Sequence, residues 1–197
     1  MIRIAIFASG SGTNAENLIS HFADCRWAII QGIFTNNPKA GVIKRASKYK
    51  IPYEIFSKTD LETPNLILNQ LESKKIDFII LAGFLLLMPK EIIEKFNGRI
   101  INIHPALLPL HGGKGFYGNN VHQAVINSGA IMSGITIHQV NEKFDDGEII
   151  FQAGCHVSKT ETAESLAAKI HTLEHTYFPV VIEKLILNLN INKPKNV

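Results

Sequence analysis

Short apolar runs alternate with amphipathic segments through the first half of the chain. Such runs are typical of strands buried on both faces of a parallel sheet, and the segments between them carry apolar residues at helical spacing. The predicted strands are Ile2 to Ala8, Trp27 to Thr35, Tyr53 to Phe56, Asp77 to Ala82 and Ile100 to Ile103. The predicted helices are Ala15 to Phe22, Ala40 to Tyr49, Leu66 to Lys74 and Lys90 to Phe96. This alternation predicts an α/β fold with a doubly wound, mostly parallel sheet and right-handed crossovers.

The pattern changes after His104. A glycine-rich loop, Gly112 to Gly118, precedes the next helix, and a strand with period-two alternation follows with its expected antiparallel neighbour. The predicted elements are a helix from Asn119 to Asn127, strands from Ser133 to Val140 and Glu148 to Val157, and a helix from Thr162 to Asn188 interrupted or bent at Pro179. We expect a single domain over residues 1–189 and a frayed polar tail over residues 190–197.

Composition narrows the classes of function. The chain has 197 residues, of which 46% are hydrophobic and 19% are charged, as in ordinary globular domains. Its net charge of +3 is spread along the chain, which argues against nucleic acid as a partner and is compatible with a small anionic substrate. Cys25 and Cys155 have no CxxC spacing, so we expect reduced, partly buried cysteines and no structural zinc. Because no secretion signal or membrane-length apolar run is present, the expected location is the cytoplasm.

A glycine turn joins the first predicted strand to the first helix. Gly10 to Ala15 satisfies G-x-G-x-x-A, and the free amides at such a helix N-terminus can hold a phosphate. A nicotinamide cofactor is disfavoured because the next strand ends in Thr35 to Asn37, without an acidic residue for a ribose diol. The alternative is a tight turn that binds nothing.

The predicted strand Ile100 to Ile103 carries an amide and an imidazole at its end. Asn102 and His104 lie two positions apart, so both side chains face the same side of an extended backbone. Pro105 ends the strand, because proline cannot donate to a sheet ladder. An amide donor beside a titratable base can bind a carbonyl oxygen and move a proton. The alternative is a strand end whose polar groups only fix a loop.

Two further segments have both a structural and a functional interpretation. Asp145 to Gly147 is either a hairpin turn or the source of a carboxylate beside His104. Gly83 to Met88 is either ordinary core or an apolar slot for a flat ring. His171 and His175 have helical i,i+4 spacing, but no third ligand is evident, so no metal is predicted. Four other histidines are interpreted as structural or exposed: His21, His122, His138 and His156.

Three segments together resemble the phosphoribosylglycinamide formyltransferases, the folate-dependent enzymes of purine synthesis. They are Ser9 to Asn14, Asn102 to Pro109 and Asp145 to Ile150, and they occur in the order and at the spacing of that family. The N-x-H-P-x-L-L-P segment is shared by formyltransferases that use 10-formyltetrahydrofolate. The G-S-G-T-N turn and the short chain narrow the resemblance to the phosphoribosylglycinamide formyltransferases among them. Related enzymes that act on methionyl-tRNA or hydrolyse the folate carry an additional domain, which is not expected here.

The resemblance implies a Rossmann-like formyltransferase fold and transfer of a formyl group from 10-formyltetrahydrofolate to 5-phosphoribosylglycinamide, without a metal. Asn102 would donate to the formyl oxygen and contact the folate. His104 would stabilise the oxyanion and take part in proton transfer, while Asp145 would set its charge state and order a water. The remaining implied contacts are Gly12, Thr13 and Asn14 with the phosphate, Glu174 with the ribose, and Leu85, Leu86, Leu87 and Met88 with the folate. The expected assembly is a monomer or a homodimer, with no nucleic acid or membrane partner.

Two departures from the family accompany this resemblance. The loop from Leu110 to Gly118 is longer than in familiar members and contains Lys114, a further candidate for a phosphate or pterin contact. Leu86 stands where some relatives have an arginine, so a polar folate contact is lost. Two other functions are alternatives: a hydrolase that releases formate from the same folate, and a non-enzymatic nucleotide-binding module. The phosphate turn favours transfer over hydrolysis, because a hydrolase has no use for a phosphorylated amine.

Overall fold

The apolar runs of the sequence form one seven-stranded sheet. The structure, a computed structural model, describes residues 1–191 of the chain. The strands are β1 (Ile2–Phe7), β2 (Ala28–Thr35), β3 (Tyr53–Ile55), β4 (Phe78–Leu81), β5 (Ile100–His104), β6 (Met132–Gln139) and β7 (Ile149–His156). Their order is β3-β2-β1-β4-β5-β6-β7. The first five are parallel, and β6 and β7 join in antiparallel pairs. The predicted fold class is confirmed.

Helices cover both faces of the sheet. They are α1 (Thr13–His21), α2 (Gly41–Lys48), α3 (Lys58–Glu62), α4 (Asn65–Ser73), α5 (Lys90–Lys95), α6 (Asn119–Asn127) and α7 (Ala163–Ile191). Alternate residues of β1 enter opposite apolar clusters: Ile4 and Ile6 lie in the cluster that includes residues of α1, α2, α6 and α7, and Ala5 and Phe7 lie in the one with α3, α4 and α5. A strand buried on both faces explains why its sequence shows no polar alternation.

The predicted interruption of helix α7 at Pro179 is wrong, because the helix continues without a break through this residue, whereas a bend there stays a prediction. Proline has no N–H and therefore leaves the carbonyl four residues earlier, that of His175, without its helical donor. The side chain of Asn17 in α1 donates to this carbonyl at 2.9 Å. Phe178 and Ile182, on either side of the proline, are completely buried. Packing and a replacement hydrogen bond therefore allow the helix to continue.

Several smaller predictions have clear outcomes. Cys25 and Cys155 are free and half-buried, as expected. The short helix α3 was not predicted, although Ser57 and Asp60 form a capping box at its start. Within the described residues, no helix is both long and apolar enough to cross a membrane. The first two residues of the predicted tail, 190 and 191, belong to α7, and residues 192–197 lie outside the described part of the chain.

The strand order brings three strand ends to one edge of the sheet. The chain moves outward from β1 through β2 to β3 and then returns to β4 on the other side of β1. Loops after β1 and β4 therefore diverge at this switch point, which is where doubly wound sheets bind ligands. The next strand, β5, ends beside them at His104.

Candidate active site

A cavity of about 1130 Å³ opens at this edge of the sheet. Its walls come from the loops after β1, β4 and β5, from the glycine-rich loop and from α7. The cavity is lined by every residue that the family resemblance implied as a site residue: Gly12, Thr13, Asn14, Leu85, Leu86, Leu87, Met88, Asn102, His104, Asp145 and Glu174. Residues separated by up to 162 positions therefore share one site.

The turn after β1 exposes the start of α1. Gly12 has a φ of 76°, and a Cβ there would lie 2.6 Å from Val42, so both the backbone angle and the close packing require glycine. Glu16 donates its N–H to Gly12 as the first helical bond at 2.9 Å. The amides of Thr13, Asn14 and Ala15 precede that bond and have no intrahelical acceptor, which makes this end a suitable anion site.

Asn14 also connects α1 to α7. Its side-chain nitrogen donates to Glu174 Oε2 at 3.0 Å, and both residues are at least nine-tenths buried. Burial raises the pKa of Glu174, although the Asn14 bond and the nearby His171 act in the opposite direction. The side chain of Asn14 is thus already engaged with the carboxylate, and its backbone amide remains for an anion.

Ser9 joins the glycine turn to the loop after β4. Its hydroxyl donates to Asn36 Oδ1 at 2.6 Å and accepts from the Leu85 N–H at 3.1 Å. Beyond this anchor, Leu85 and Leu87 are 44% and 42% exposed, whereas Met88 is 2% exposed and belongs to the core. The segment therefore has both predicted characters: two leucines present apolar surface to the cavity, and the methionine fixes the loop.

His104 is buried at the end of β5, with 3% of its surface exposed. Its Nε2 lies 2.8 Å from the carbonyl oxygen of His111. A carbonyl can only accept, so Nε2 carries the proton and Nδ1 of the neutral ring has a free lone pair. Nδ1 faces Asp145 Oδ2 at 3.4 Å. Burial lowers the pKa of His104, outweighing the opposing effects of Asp145 and the His111 carbonyl.

Asp145 lies in the connection between β6 and β7, which extends over residues 140–148. This connection is much longer than a two-residue hairpin turn, and it returns the carboxylate to the cavity. Burial raises the pKa of Asp145, but its polar neighbours, including His104 and the Gly113 amide, outweigh this effect, so the pKa is below its ordinary value. The Gly113 N–H donates to Oδ2 at 2.9 Å. An ionised carboxylate can stabilise a proton that arrives on His104.

The backbone around Asp145 is shaped for this placement. Asp145 itself has a φ of 53°, a left-handed conformation that costs a non-glycine residue about 1–2 kcal/mol. Two residues later, a Cβ on Gly147 would lie 1.8 Å from the carbonyl oxygen of Gln139, so the loop closes only with glycine there. A strained residue held by hydrogen bonds beside a cavity is typical of functional sites.

Asn102 contacts two partners from distant parts of the chain. Its side-chain nitrogen lies 3.0 Å from His138 Nε2 and 3.3 Å from Asp145 Oδ1. Asn102 and His138 are directly opposite each other in the antiparallel pairing of β5 with β6. The interpretation of His138 as merely structural is thus incomplete, because its ring lines the cavity and contacts a candidate catalytic amide.

A sequence pattern could have indicated His138. Thr136 and His138 are two positions apart in the alternating strand, as Asn102 and His104 are in β5. The register pairs His104 with Thr136 and Asn102 with His138. Two polar i,i+2 pairs on neighbouring antiparallel strands would face each other, but the register needed to recognise this is not visible in either strand alone.

His122 is a second residue whose position the sequence interpretation missed. It lies in α6, is 4% exposed and lines the cavity. Its Nδ1 and the Oδ1 of Asn14 are buried and have no hydrogen-bond partner among the described residues. Burial, with the nearby His171 and His104, lowers the pKa of His122. Both atoms therefore lack the hydrogen-bond partner that buried polar groups normally have.

The described residues contain no group of three or more histidine, cysteine or acidic side chains arranged to hold a metal. The i,i+4 pair His171 and His175 is stacked, with ring centroids 6.3 Å apart.

Sequence and fold comparisons give the same family. A family model described as formyl transferase matches residues 2–182. A chloroplastic phosphoribosylglycinamide formyltransferase from Vigna unguiculata is 40% identical over 93% of the chain, which spans 60% of that relative's length. The Bacillus subtilis (strain 168) phosphoribosylglycinamide formyltransferase is 33% identical, with 94% and 95% of the two chains covered.

A solved structure extends this similarity to the fold. The phosphoribosylglycinamide formyltransferase of Anaplasma phagocytophilum superposes with a TM-score of 0.86 at 31% identity, covering 94% of this chain and 87% of the other. The family match over residues 2–182 includes every residue that lines the cavity, from the glycine turn to α7. The chain therefore belongs to the formyl transferase family.

Proposed function

We propose that the protein transfers the formyl group of 10-formyltetrahydrofolate to the amine of 5-phosphoribosylglycinamide in de novo purine biosynthesis. The products are 5-phosphoribosyl-N-formylglycinamide and tetrahydrofolate. The observation that carries the proposal is the convergence of Asn102, His104 and Asp145 in a cavity that also contains a free helix N-terminus. Two relatives named phosphoribosylglycinamide formyltransferase align with 93% and 94% of the chain. This similarity supports the same substrates for this protein.

The phosphorylated amine fits the end of the cavity between α1 and α7. Its phosphate would accept from the amides of Gly12, Thr13 and Asn14 at the start of the helix. The ribose hydroxyls would bind Glu174 and complete the hydrogen bonding of Asn14 Oδ1 and His122 Nδ1, which lack partners among the described residues. This arrangement gives both of these buried polar atoms a partner that a folate hydrolase does not supply.

The folate fits the apolar side. Leu85, Leu86 and Leu87 would contact its ring system, with Met88 holding the loop in place from the core. Four lysines also line the cavity and would attract the two anionic substrates: Lys58, Lys90, Lys114 and Lys143. Within the described residues, Lys114 has no acidic ion-pair partner, whereas the other three do. Lys114 is therefore the lysine most available to a substrate anion.

The reaction requires an oxyanion donor and a proton acceptor. When the amine attacks the formyl carbon, the carbonyl oxygen becomes an anion, to which Asn102 donates an N–H. The amine proton passes to the free Nδ1 of His104, directly or through a water ordered by Asp145. The resulting imidazolium is stabilised by Asp145 Oδ2, 3.4 Å away. The oxyanion then re-forms the carbonyl as the bond to the folate nitrogen breaks, and the leaving nitrogen takes up the proton held by His104.

A coupled assay with 10-formyltetrahydrofolate, with and without phosphoribosylglycinamide, tests this proposal. We expect tetrahydrofolate and N-formylated product only when the amine is present. Formate release without the amine would indicate a hydrolase, and absence of turnover with both substrates would indicate a binding module. The His104→Ala variant, purified in parallel, provides the control for contaminating activity.

Replacement of Asp145 by asparagine is expected to move the acid limb of the kcat profile to lower pH. The mechanism needs neutral His104, so activity falls as the pH drops through the pKa of this group. The negative charge of Asp145 raises the pKa of His104. Removal of this charge therefore lowers the pKa of His104 further, and the acid limb of the kcat profile moves to lower pH with it. The measurement is kcat against pH for both proteins.

Asp146→Asn is the matched control, since this neighbouring aspartate bonds Asn141 and Lys143 instead of His104. It should leave the acid limb unchanged. A wild-type profile for Asp145→Asn, or a shift to higher pH, would remove Asp145 from control of the His104 charge.

A further inference from the structure

The feature that leads beyond the three proposed catalytic residues is the ring of His138. Its side chain is 2% exposed, and its position is fixed by the antiparallel pairing of β6 with β5. Residues directly opposite each other in such a pair have their Cβ atoms about 5 Å apart. His138 is thus held beside Asn102 by backbone pairing, and it has two ring nitrogens with different partners.

The first nitrogen determines the tautomer. Nδ1 lies 2.7 Å from the carbonyl oxygen of Gln139. Because a carbonyl oxygen only accepts, Nδ1 must carry a proton. In the neutral ring Nε2 is then unprotonated and can only accept.

The second nitrogen determines how the Asn102 amide is turned. Nε2 lies 3.0 Å from the side-chain nitrogen of Asn102, which donates to it. On its other side, the same nitrogen donates to Asp145 Oδ1 at 3.3 Å. Nε2 and Asp145 Oδ1 are 3.6 Å apart, too far for a direct hydrogen bond between them. The Asn102 nitrogen is therefore the bridge between two acceptors.

The opposite amide orientation is disfavoured at both contacts. It would turn the Asn102 oxygen toward the unprotonated Nε2 and toward a carboxylate, so that acceptors would face acceptors. Of the two N–H groups, the one bonded to His138 is fixed by the shorter contact. The other, at 3.3 Å from Asp145, has the weaker contact and is the one that a substrate oxygen can recruit.

We propose that His138 is a positioning residue that accepts one N–H of Asn102 and thereby aims the other at the formyl oxygen. This inference rests on the proposed formyl transfer and adds a residue to it. His138 acts through Asn102 and does not touch the reacting atoms. Without an acceptor at this point, the amide can rotate, and the oxyanion loses a donor held in place before the reaction.

The first test uses the wild-type protein without substrate. In protein labelled with ¹⁵N at its eight histidines, the His138 signals at neutral pH should show a protonated Nδ1 and an unprotonated Nε2. The His138→Gln variant assigns them by their disappearance. A ring protonated at Nε2, alone or together with Nδ1, would overturn the proposal. This result does not depend on which reaction the enzyme catalyses.

The second test is a double-mutant cycle. His138→Leu removes the acceptor at similar volume, and we expect kcat to fall about 10²-fold, close to the cost of losing one oxyanion donor. The KM values for both substrates should remain within about twofold, because a group that acts only in the transition state changes kcat. In the Asn102→Ala background the same change should cost no more than about twofold, since coupled residues are not additive.

Two further variants separate positioning from stability. His138→Gln can supply an oxygen acceptor near Nε2, so its kcat should recover to within about tenfold of wild type. Thermal unfolding identifies variants that do not fold, and His138→Asn, with a shorter side chain, then replaces His138→Leu. Losses that multiply in the double mutant, or normal kcat in folded His138→Leu, would contradict positioning through Asn102. If no variant transfers formyl groups because the proposed function is wrong, the histidine tautomer still decides the hydrogen-bond assignment.

Discussion

Replacement of His104 by alanine is expected to lower kcat by about 10³–10⁴-fold while the fold survives. The ring supplies a proton acceptor, because Nε2 is bonded to the His111 carbonyl and Nδ1 is free. In the proposed mechanism it also becomes the cation beside the developing oxyanion. Alanine removes both contributions, and water in the vacated space cannot reproduce the pairing with Asp145. The measurement is steady-state turnover with both substrates saturating.

His156→Ala is the matched control for this loss. His156 is exposed on β7 and does not line the cavity. It should retain wild-type kcat. His104→Gln keeps more of the buried volume and distinguishes lost chemistry from lost packing, since it should remain as inactive as alanine. A folded His104→Ala protein with near-normal turnover would exclude the proposed proton transfer.

The second large effect is expected at Asn102, where alanine should lower kcat by about 10²–10³-fold, the usual cost of one oxyanion donor. The KM for phosphoribosylglycinamide should change little, because Asn102 lies in the middle of β5, whereas the proposed phosphate site is the turn after β1. Asn102→Asp is a stricter test of the donor role of this side chain. It preserves size but replaces donors by a negative charge close to Asp145, so its loss should equal or exceed that of alanine.

Asn97→Ala controls for the substitution itself. Asn97 is exposed after α5 and is not part of the cavity wall, so its kcat should match wild type. Unchanged turnover in Asn102→Ala would remove both the oxyanion role and the proposed role of His138. A loss confined to KM would instead make Asn102 a folate-binding residue only.

Local patterns in the sequence were sufficient to predict most elements of the fold. Continuous apolar runs predicted the buried parallel strands, and period-two alternation predicted β6 beside an antiparallel β7. Two errors came from local rules that were incomplete. Pro179 does not interrupt α7, since Asn17 supplies the missing donor from another helix. Helix α3 was missed although its Ser57–Asp60 capping box is visible in the sequence.

The candidate site was only partly accessible in the same way. The sequence was enough to recognise Gly12 in its turn and Asn102 with His104 at a strand end. In both cases the functional groups lie within a few residues of one another along the chain. The role of Asp145 stayed open between a hairpin turn and a carboxylate near His104. Deciding its position required the path of a nine-residue connection closed at Gly147.

The sequence by itself thus determined the α/β class, the glycine turn and the strand end that carries an amide and an imidazole. Only the tertiary structure decided how those groups are charged and aimed. Asn102 meets His138 and Asp145 across 36 and 43 residues. Tautomer, amide orientation and pKa depend on burial and on partners within about 3–4 Å. Such contacts arise from strand register and loop path, which no local pattern contains.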